Sequence, residues 1–136
     1  MIALAEIGSR ALSPATNDPG TAIEVVSAFH RVFTVALEAD PDPEVHFEHV
    51  WIEAPRLETL VTDAVRPLAR DGAGIVEVQI RLQKCLAGLA AVSAQHRHIF
   101  TAAADDALRR AKRAMHRDDF RIVRAAAREA WALRAR

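Results

Sequence analysis

The chain of 136 residues contains one cysteine, no tyrosine and few aromatic residues of any kind. A single cysteine excludes an internal disulfide and the zinc sites that need several thiolates. Because β-sandwiches and barrels depend on β-branched and aromatic side chains, an aromatic content of 5% disfavours both architectures. The hydrophobic share of 51% still suffices for one packed core.

Long hydrophobic runs are also lacking. The longest uncharged apolar run, Cys85 to Gln95, is shorter than the roughly 20 residues of a membrane-spanning helix. The N-terminal segment carries Glu6 within its apolar part and has no basic leader, unlike a signal peptide. We therefore expect no membrane span in this sequence and interpret residues 1–136 as a single soluble helical domain.

The formal net charge is zero, but acidic and basic residues are unevenly distributed. Residues 1–63 hold eleven acidic and three basic side chains, a net charge of −8. Residues 64–104 hold five basic and two acidic side chains (+3), and residues 105–136 hold ten basic and five acidic ones (+5). These charges could face one another within one molecule, or complementary surfaces could pair two copies.

Alanine, with 28 residues, is the commonest side chain, and apolar residues recur mostly with helical period. The fold class we expect is mainly α, a bundle of five or six helices with short connections. The predicted helices are Ile2 to about Ala11, Pro19 to about Ala39, Leu57 to about Asp71, about Ile75 to Ala94, about His98 to His116 and a last helix capped by Asp118 or Asp119.

One segment departs from the helical pattern. Val45, Phe47, His49 and Trp51 occupy alternate positions, which predicts one short strand or hairpin segment near residues 45–52.

Apolar periodicity also predicts which faces of the later helices turn inward. The fourth helix is expected to bury Val78, Leu82, Cys85, Leu86, Leu89 and Val92. The fifth is expected to bury Ile99, Ala103, Leu108, Ala111 and Met115.

The densest motif lies between the first two helices, where Ser13-Pro14 and Asp18-Pro19 each place a capping residue before a proline. One interpretation is a rigid corner in which both side chains cap helical turns. The other is a polar cluster around helix N-termini that binds an anionic ligand. The candidate binding residues are Arg10, Ser13, Asn17, Asp18 and Thr21.

Residues 11–22, A-L-S-P-x-x-N-D-P-x-T-A, resemble the signature of a bacterial family of predicted membrane proteins, domain-of-unknown-function family 2254. Residues 57–89, with two apolar helices around a Gly-Ala-Gly break, resemble the family's later region less specifically. The resemblance implies transmembrane helices followed by soluble sequence, with the soluble C-terminal part corresponding to this chain. It implies membrane association, presumed cytoplasmic, through an N-terminal region absent here, and it implies no activity.

Residue types that carry catalysis or bind metals show no convincing arrangement. The six histidines lack the spacing of known metal motifs, and Cys85 lies on an apolar helical stripe, as expected of an inert buried thiol. A nucleophilic set of Ser13, Asp18 and His30 is a minor alternative. We expect no catalytic residues, no metal and no cofactor.

A basic stretch covers Arg109 to Arg117 without the aromatic side chains that stack on bases, so nucleic acid is not expected as a partner. The stretch is interpreted as a solvated helix face, with an Asp106–Arg110 ion pair. Contact with an anionic membrane leaflet is its functional alternative.

The sequence favours a non-enzymatic interaction or assembly module that forms a homo-oligomer or packs on a helical partner. The alternative is a domain that binds a small ligand, or acts as an enzyme, through the S-P-x-x-N-D-P corner.

Overall fold

The computed structural model describes residues 1–39, 49 and 55–133. Within these ranges the chain forms six α-helices and no β-strand, so the prediction of a mainly α bundle is confirmed. A 3-10 turn at Ala94–His96 joins the fourth helix to the fifth. The helices are α1 (Ile2–Ala11), α2 (Pro19–Glu38), α3 (Leu57–Asp71), α4 (Val76–Val92), α5 (Arg97–Ala114) and α6 (Arg117–Ala132). The strand predicted near 45–52 lies outside the described residues, apart from His49.

Helix α4 lies at the centre of the bundle. It packs against α2, α5 and α6, while α1 packs against α2 and α3, and α3 also contacts α5. Leu82, Leu86 and Leu89 of α4 are fully or almost fully buried. Ten of its 17 residues are buried, which is the pattern of a helix surrounded by others rather than of one on a surface.

Two glutamines of α4 are buried with the leucines. Gln83 Nε2 donates to the Ala104 carbonyl of α5 at 3.0 Å, and Gln83 Oε1 accepts from Trp131 Nε1 of α6 at 3.3 Å. Gln79 Nε2 donates to the Gly72 carbonyl at 3.1 Å, close to the end of α3. Because buried amides need partners, these bonds fix which helices surround α4.

Helices α1 and α3 approach each other closely at Gly8. A Cβ added at Gly8 would collide with Cδ2 of the buried Leu68 side chain, so glycine leaves room for this leucine. Nearby, the Ser9 hydroxyl donates to Asp71 Oδ2 at 2.7 Å. The pKa of Asp71 is lowered because its carboxylate accepts hydrogen bonds from Arg70 and Ser9. The contact thus combines tight packing with a polar link.

The predicted buried faces are correct for α4 except at its last residue, and they are largely wrong for α5. Val92, predicted to be buried, is 38% exposed because it is the last residue of α4. In α5 the buried stripe is Phe100, Ala104, Ala107 and Ala111, whereas Ile99, Ala103, Leu108 and Met115 are only half-buried. The buried stripe lies beside the predicted one, and Ile99 and Ala103 pack at its edge, where α5 contacts α3 as well as α4.

The predicted cap of the last helix is also wrong. His116, and neither Asp118 nor Asp119, is the N-cap of α6, and its Nδ1 accepts from the Asp118 amide at 3.3 Å. Both aspartates lie in the first turn, where a negative charge is favourable beside the helix dipole.

The expectation that no segment could span a membrane needs correction. Helix α2 is long and apolar enough to cross one by length and composition, a test that core helices of soluble proteins also pass. In this structure Val26, Phe29 and Phe33 of α2 are buried in the protein core. In this structure α2 is thus one of the packed helices of the bundle.

Two glycines after α3 make a matched pair for a test of packing. A Cβ at Gly72 would lie 2.9 Å from the Leu68 carbonyl oxygen and 2.7 Å from Val78 Cγ1, whereas a Cβ at Gly74 would lie 3.9 Å from the Ala114 carbonyl oxygen. Gly72→Ala is expected to lower the free energy of unfolding by about 1–3 kcal/mol because backbone must shift. Urea denaturation measures the change, and Gly74→Ala, the control, should leave it almost unchanged. Equal stabilities of the two variants would contradict this packing.

Candidate functional site

The segment between α1 and α2 forms a tight corner held by its own backbone. The Asp18 amide donates to the Ala11 carbonyl at 2.8 Å, which closes the loop onto the end of α1. The Ser13 carbonyl accepts from the Thr16 and Asn17 amides at 3.1 and 2.8 Å. Asn17 has a φ of 45°, a left-handed conformation that asparagine tolerates better than most residues.

Asp18 caps α2 as predicted, but Ser13 does not cap a helix. Asp18 Oδ1 accepts from the Thr21 amide at 3.1 Å, and Oδ2 accepts from the Thr21 hydroxyl at 2.5 Å. The Ser13 hydroxyl instead donates to Thr16 Oγ1 at 3.3 Å. The segment after Ser13 forms a turn and no helix, so the prediction of a doubly capped corner is half right.

Electrostatics at the corner follow from these bonds. The hydrogen bonds from the Thr21 side chain and amide hold the pKa of Asp18 below its ordinary value, so the carboxylate is ionised at neutral pH. An open depression of about 440 Å³ brings together Arg10, Asp18 and Thr21, with Glu6 on its wall. Two carboxylates beside one guanidinium give a net negative surface, which does not favour an anion.

Only part of the predicted ligand set therefore shares one surface. Arg10, Asp18 and Thr21 line the depression, while Ser13 and Asn17 belong to the turn beside it and are absent from its lining. Ligand binding at this corner stays a prediction.

The nucleophilic alternative does not fit the structure. Asp18 precedes α2 and His30 lies twelve residues further along the helix, which places them about 18 Å apart at 1.5 Å per residue. Elsewhere in the described ranges, no three histidine, cysteine, aspartate or glutamate side chains lie together in a way that could hold a metal ion.

A second concave surface was not predicted from the sequence. A cleft of about 460 Å³ lies between α2, α4 and α6, which we call the α2–α4–α6 cleft. Its charged or titratable lining residues are His30, Arg31, Arg81, Lys84 and Glu129. Cys85, buried as predicted, also borders it. The signal that could have revealed it is the pair Arg81 and Lys84, two cations three residues apart on the central helix.

Ser27 fixes one guanidinium of this cleft. Arg81 Nε and Nη2 both donate to Ser27 Oγ, at 3.2 and 2.8 Å, and Ser27 Oγ in turn donates to the Ile23 carbonyl at 2.8 Å. Ser27 is buried, so its hydrogen bonds with Arg81 join α4 to α2 at the floor of the cleft. The arrangement holds a cation in place without a carboxylate.

The basic stretch at the end of α5 is mostly exposed, and the predicted ion pair within it is confirmed. Arg110 Nε donates to Asp106 Oδ2 at 2.7 Å. The pKa of Asp106 is lowered, chiefly by the hydrogen bond from Arg110.

Comparison with known proteins gives one match. The model of the family described as "Predicted membrane protein (DUF2254)" matches residues 1–88, which include α1, α2, α3 and most of α4. No curated protein and no solved structure matches the chain.

The cap of α2 can be tested through its pH dependence. Asp18→Ala is expected to lower the melting temperature at neutral pH, because two Thr21 donors lose their acceptor. A carboxylate with a lowered pKa contributes stability above its unfolded pKa of about 3.9, and this stability is lost as the pH falls through the folded pKa. The difference in melting temperature from wild type should therefore shrink in acid.

Thr21→Val is the matched control for the Asp18 test. It keeps the carboxylate and the backbone donor but removes the hydroxyl donor, so the pKa of Asp18 should rise towards its ordinary value in an NMR titration. A pKa of Asp18 that does not change in this variant would contradict the cap geometry.

Proposed function

The chain belongs to the family of predicted membrane proteins DUF2254, and from this premise we propose that it is a non-enzymatic interaction module that docks on an anionic membrane surface. The observation that carries the proposal is a row of arginines on α6. Arg117, Arg121, Arg124 and Arg128 follow one another at intervals of four, three and four residues, so they share one helix face. We call this set the arginine row.

All four side chains of the arginine row are exposed. Arg121 is paired with Asp118 at 2.7 Å. Arg124 and Arg128 have no ion pair with any carboxylate in the described part of the chain. Lys112 and Arg113 at the end of α5 are exposed as well. This is the basic surface that attracts acidic headgroups, each cation near the surface contributing about 1 kcal/mol.

The alternative partner of a basic helix face is nucleic acid, and the composition of this face disfavours it. None of the described side chains exposed on α6 is an aromatic ring that could stack on bases.

Self-association is a second candidate function and has its own observation. Ala28, Val32, Val35 and Ala36 share one face of α2, which we call the apolar strip. Val32 is 45% and Val35 is 68% exposed. In a twofold interface the same patch of both copies is in contact. An uncharged strip of small and β-branched residues can pack against itself in this way, whereas a row of like charges would repel itself. The partner proposed for the apolar strip is thus a second copy.

The membrane proposal is tested by neutralising Arg124 and Arg128, two members of the arginine row that form no ion pair among the described residues. Arg124→Gln/Arg128→Gln should weaken binding to vesicles of phosphatidylcholine and phosphatidylglycerol by roughly 30-fold, since two surface cations contribute about 2 kcal/mol. Co-sedimentation measures the binding. Wild-type binding should fall when salt is added and vanish on phosphatidylcholine alone.

The control variant removes the same charge elsewhere. Arg56→Gln/Arg66→Gln changes two exposed arginines on and beside α3 and should bind the vesicles like wild type. Binding that does not depend on the anionic lipid, or that falls equally in both double variants, would refute docking through the arginine row.

The assembly proposal is tested by the mass of the protein in solution. Val35→Lys should raise the dissociation constant of the dimer at least about tenfold, because it places a charge where an apolar side chain would be buried. Sedimentation equilibrium measures the constant, and Ile122→Lys on α6 is the matched control. A wild-type protein that is monomeric at high concentration would rule out the assembly proposal and leave the membrane proposal standing.

A further inference from the structure

The α2–α4–α6 cleft carries an excess of positive charge. Arg31 from α2 and Arg81 and Lys84 from α4 line it, opposed by Glu129 from α6, so the described lining has a net charge of +2 with His30 neutral. Its volume of about 460 Å³ lies in the range of small-molecule sites. Unlike the arginine row, these charges are gathered around a concavity and converge on one space.

Arg81 is held in position for a ligand. Its Nε and Nη2 donate to Ser27 Oγ, which fixes the plane of the guanidinium. An arginine has five N–H donors, so three N–H groups are left for another acceptor. Neither Arg31 nor Arg81 forms an ion pair with a carboxylate among the residues that the structure describes. Because Lys84 and His30 have interactions of their own within the protein, the argument rests on the two arginines.

We infer that the α2–α4–α6 cleft binds a small molecule through a phosphate group. Arginine's planar fork matches phosphate oxygens in pairs, and fixing it in advance lowers the entropic cost of binding. A phosphate monoester carries up to two negative charges, which can pair with the guanidinium groups of Arg31 and Arg81. The group could belong to a soluble metabolite or to a lipid headgroup, and the experiment distinguishes the two.

Pyrophosphate is the soluble probe, and its binding is measured by isothermal titration calorimetry together with NMR of the arginine Nε–H signals. Wild type should bind saturably, with a shift of the Arg81 signal. Arg81→Gln should weaken binding about tenfold, as expected for losing hydrogen bonds to a charged group, and Arg31→Gln should weaken it as well. Arg66→Gln on α3, outside the lining, is the control and should bind like wild type.

Glu129 provides a variant with the opposite expected result. Its carboxylate lines the same cleft and repels an anion, so Glu129→Gln should tighten pyrophosphate binding several-fold. Unfolding cannot mimic a gain in affinity, so this variant keeps the test meaningful if Arg81→Gln proves unstable. Unchanged or weaker binding by Glu129→Gln would contradict the proposed location.

Vesicles that contain phosphatidic acid distinguish the source of the phosphate. If the ligand is a lipid headgroup, Arg81→Gln should reduce binding to these vesicles, and pyrophosphate should compete with them. If it is soluble, Arg81→Gln should affect pyrophosphate binding alone. Arg124→Gln/Arg128→Gln should leave pyrophosphate binding intact, so this inference and the membrane proposal can fail separately. Absence of saturable binding to both probes, or equal loss in Arg81→Gln and Arg66→Gln, would overturn the inference.

Discussion

The burial of α4 is the constraint on which the rest of the structure depends. Helices α2, α5 and α6 all pack on α4, and its leucines are removed from water on several sides. Helices can surround a central one at short distance only where contacting side chains are small, and Ala87, Ala90, Ala104 and Ala107 are all buried at or near these contacts. The abundance of alanine therefore has a geometric role in the bundle.

Polar groups inside this core decide how the helices are arranged. A purely apolar α4 would pack acceptably in several rotations, since hydrophobic burial is not directional. Gln83 accepts a hydrogen bond from Trp131 of α6 and donates one to the carbonyl of Ala104 of α5. Both hydrogen bonds can form only when α5 and α6 are arranged around α4 as they are here. Gln79 Oε1 is buried without a hydrogen-bond partner among the described residues, a cost that the bonds of its amide nitrogen offset in part.

The same arrangement determines where charge collects on the surface. The charged residues of α4, Glu77, Arg81 and Lys84, are all exposed, and the two cations line the α2–α4–α6 cleft. Helix α6 covers α4 with Val123 and Ala127, which turns its arginine row away from the core. The basic second half of the sequence is thus divided between a concave surface and a helix face, and these support different proposals.

The sequence by itself determined the helices, because helical period, prolines and caps are local signals. The sequence predicted an end of α1 at about Ala11 and an N-cap of α2 at Asp18, and both agree with the structure. The cap is a local signal because its bonds join Asp18 to Thr21 within one turn. The predicted Ser13 cap is wrong because the Ser13 hydroxyl donates to Thr16 Oγ1 within the turn. Only the tertiary structure decided the burial of Gln79 and Gln83, the face of α5 that turns inward, and the cleft. Contacts between helices bring the side chains of that cleft together from positions 26 to 133, and no local sequence pattern reaches over such separations.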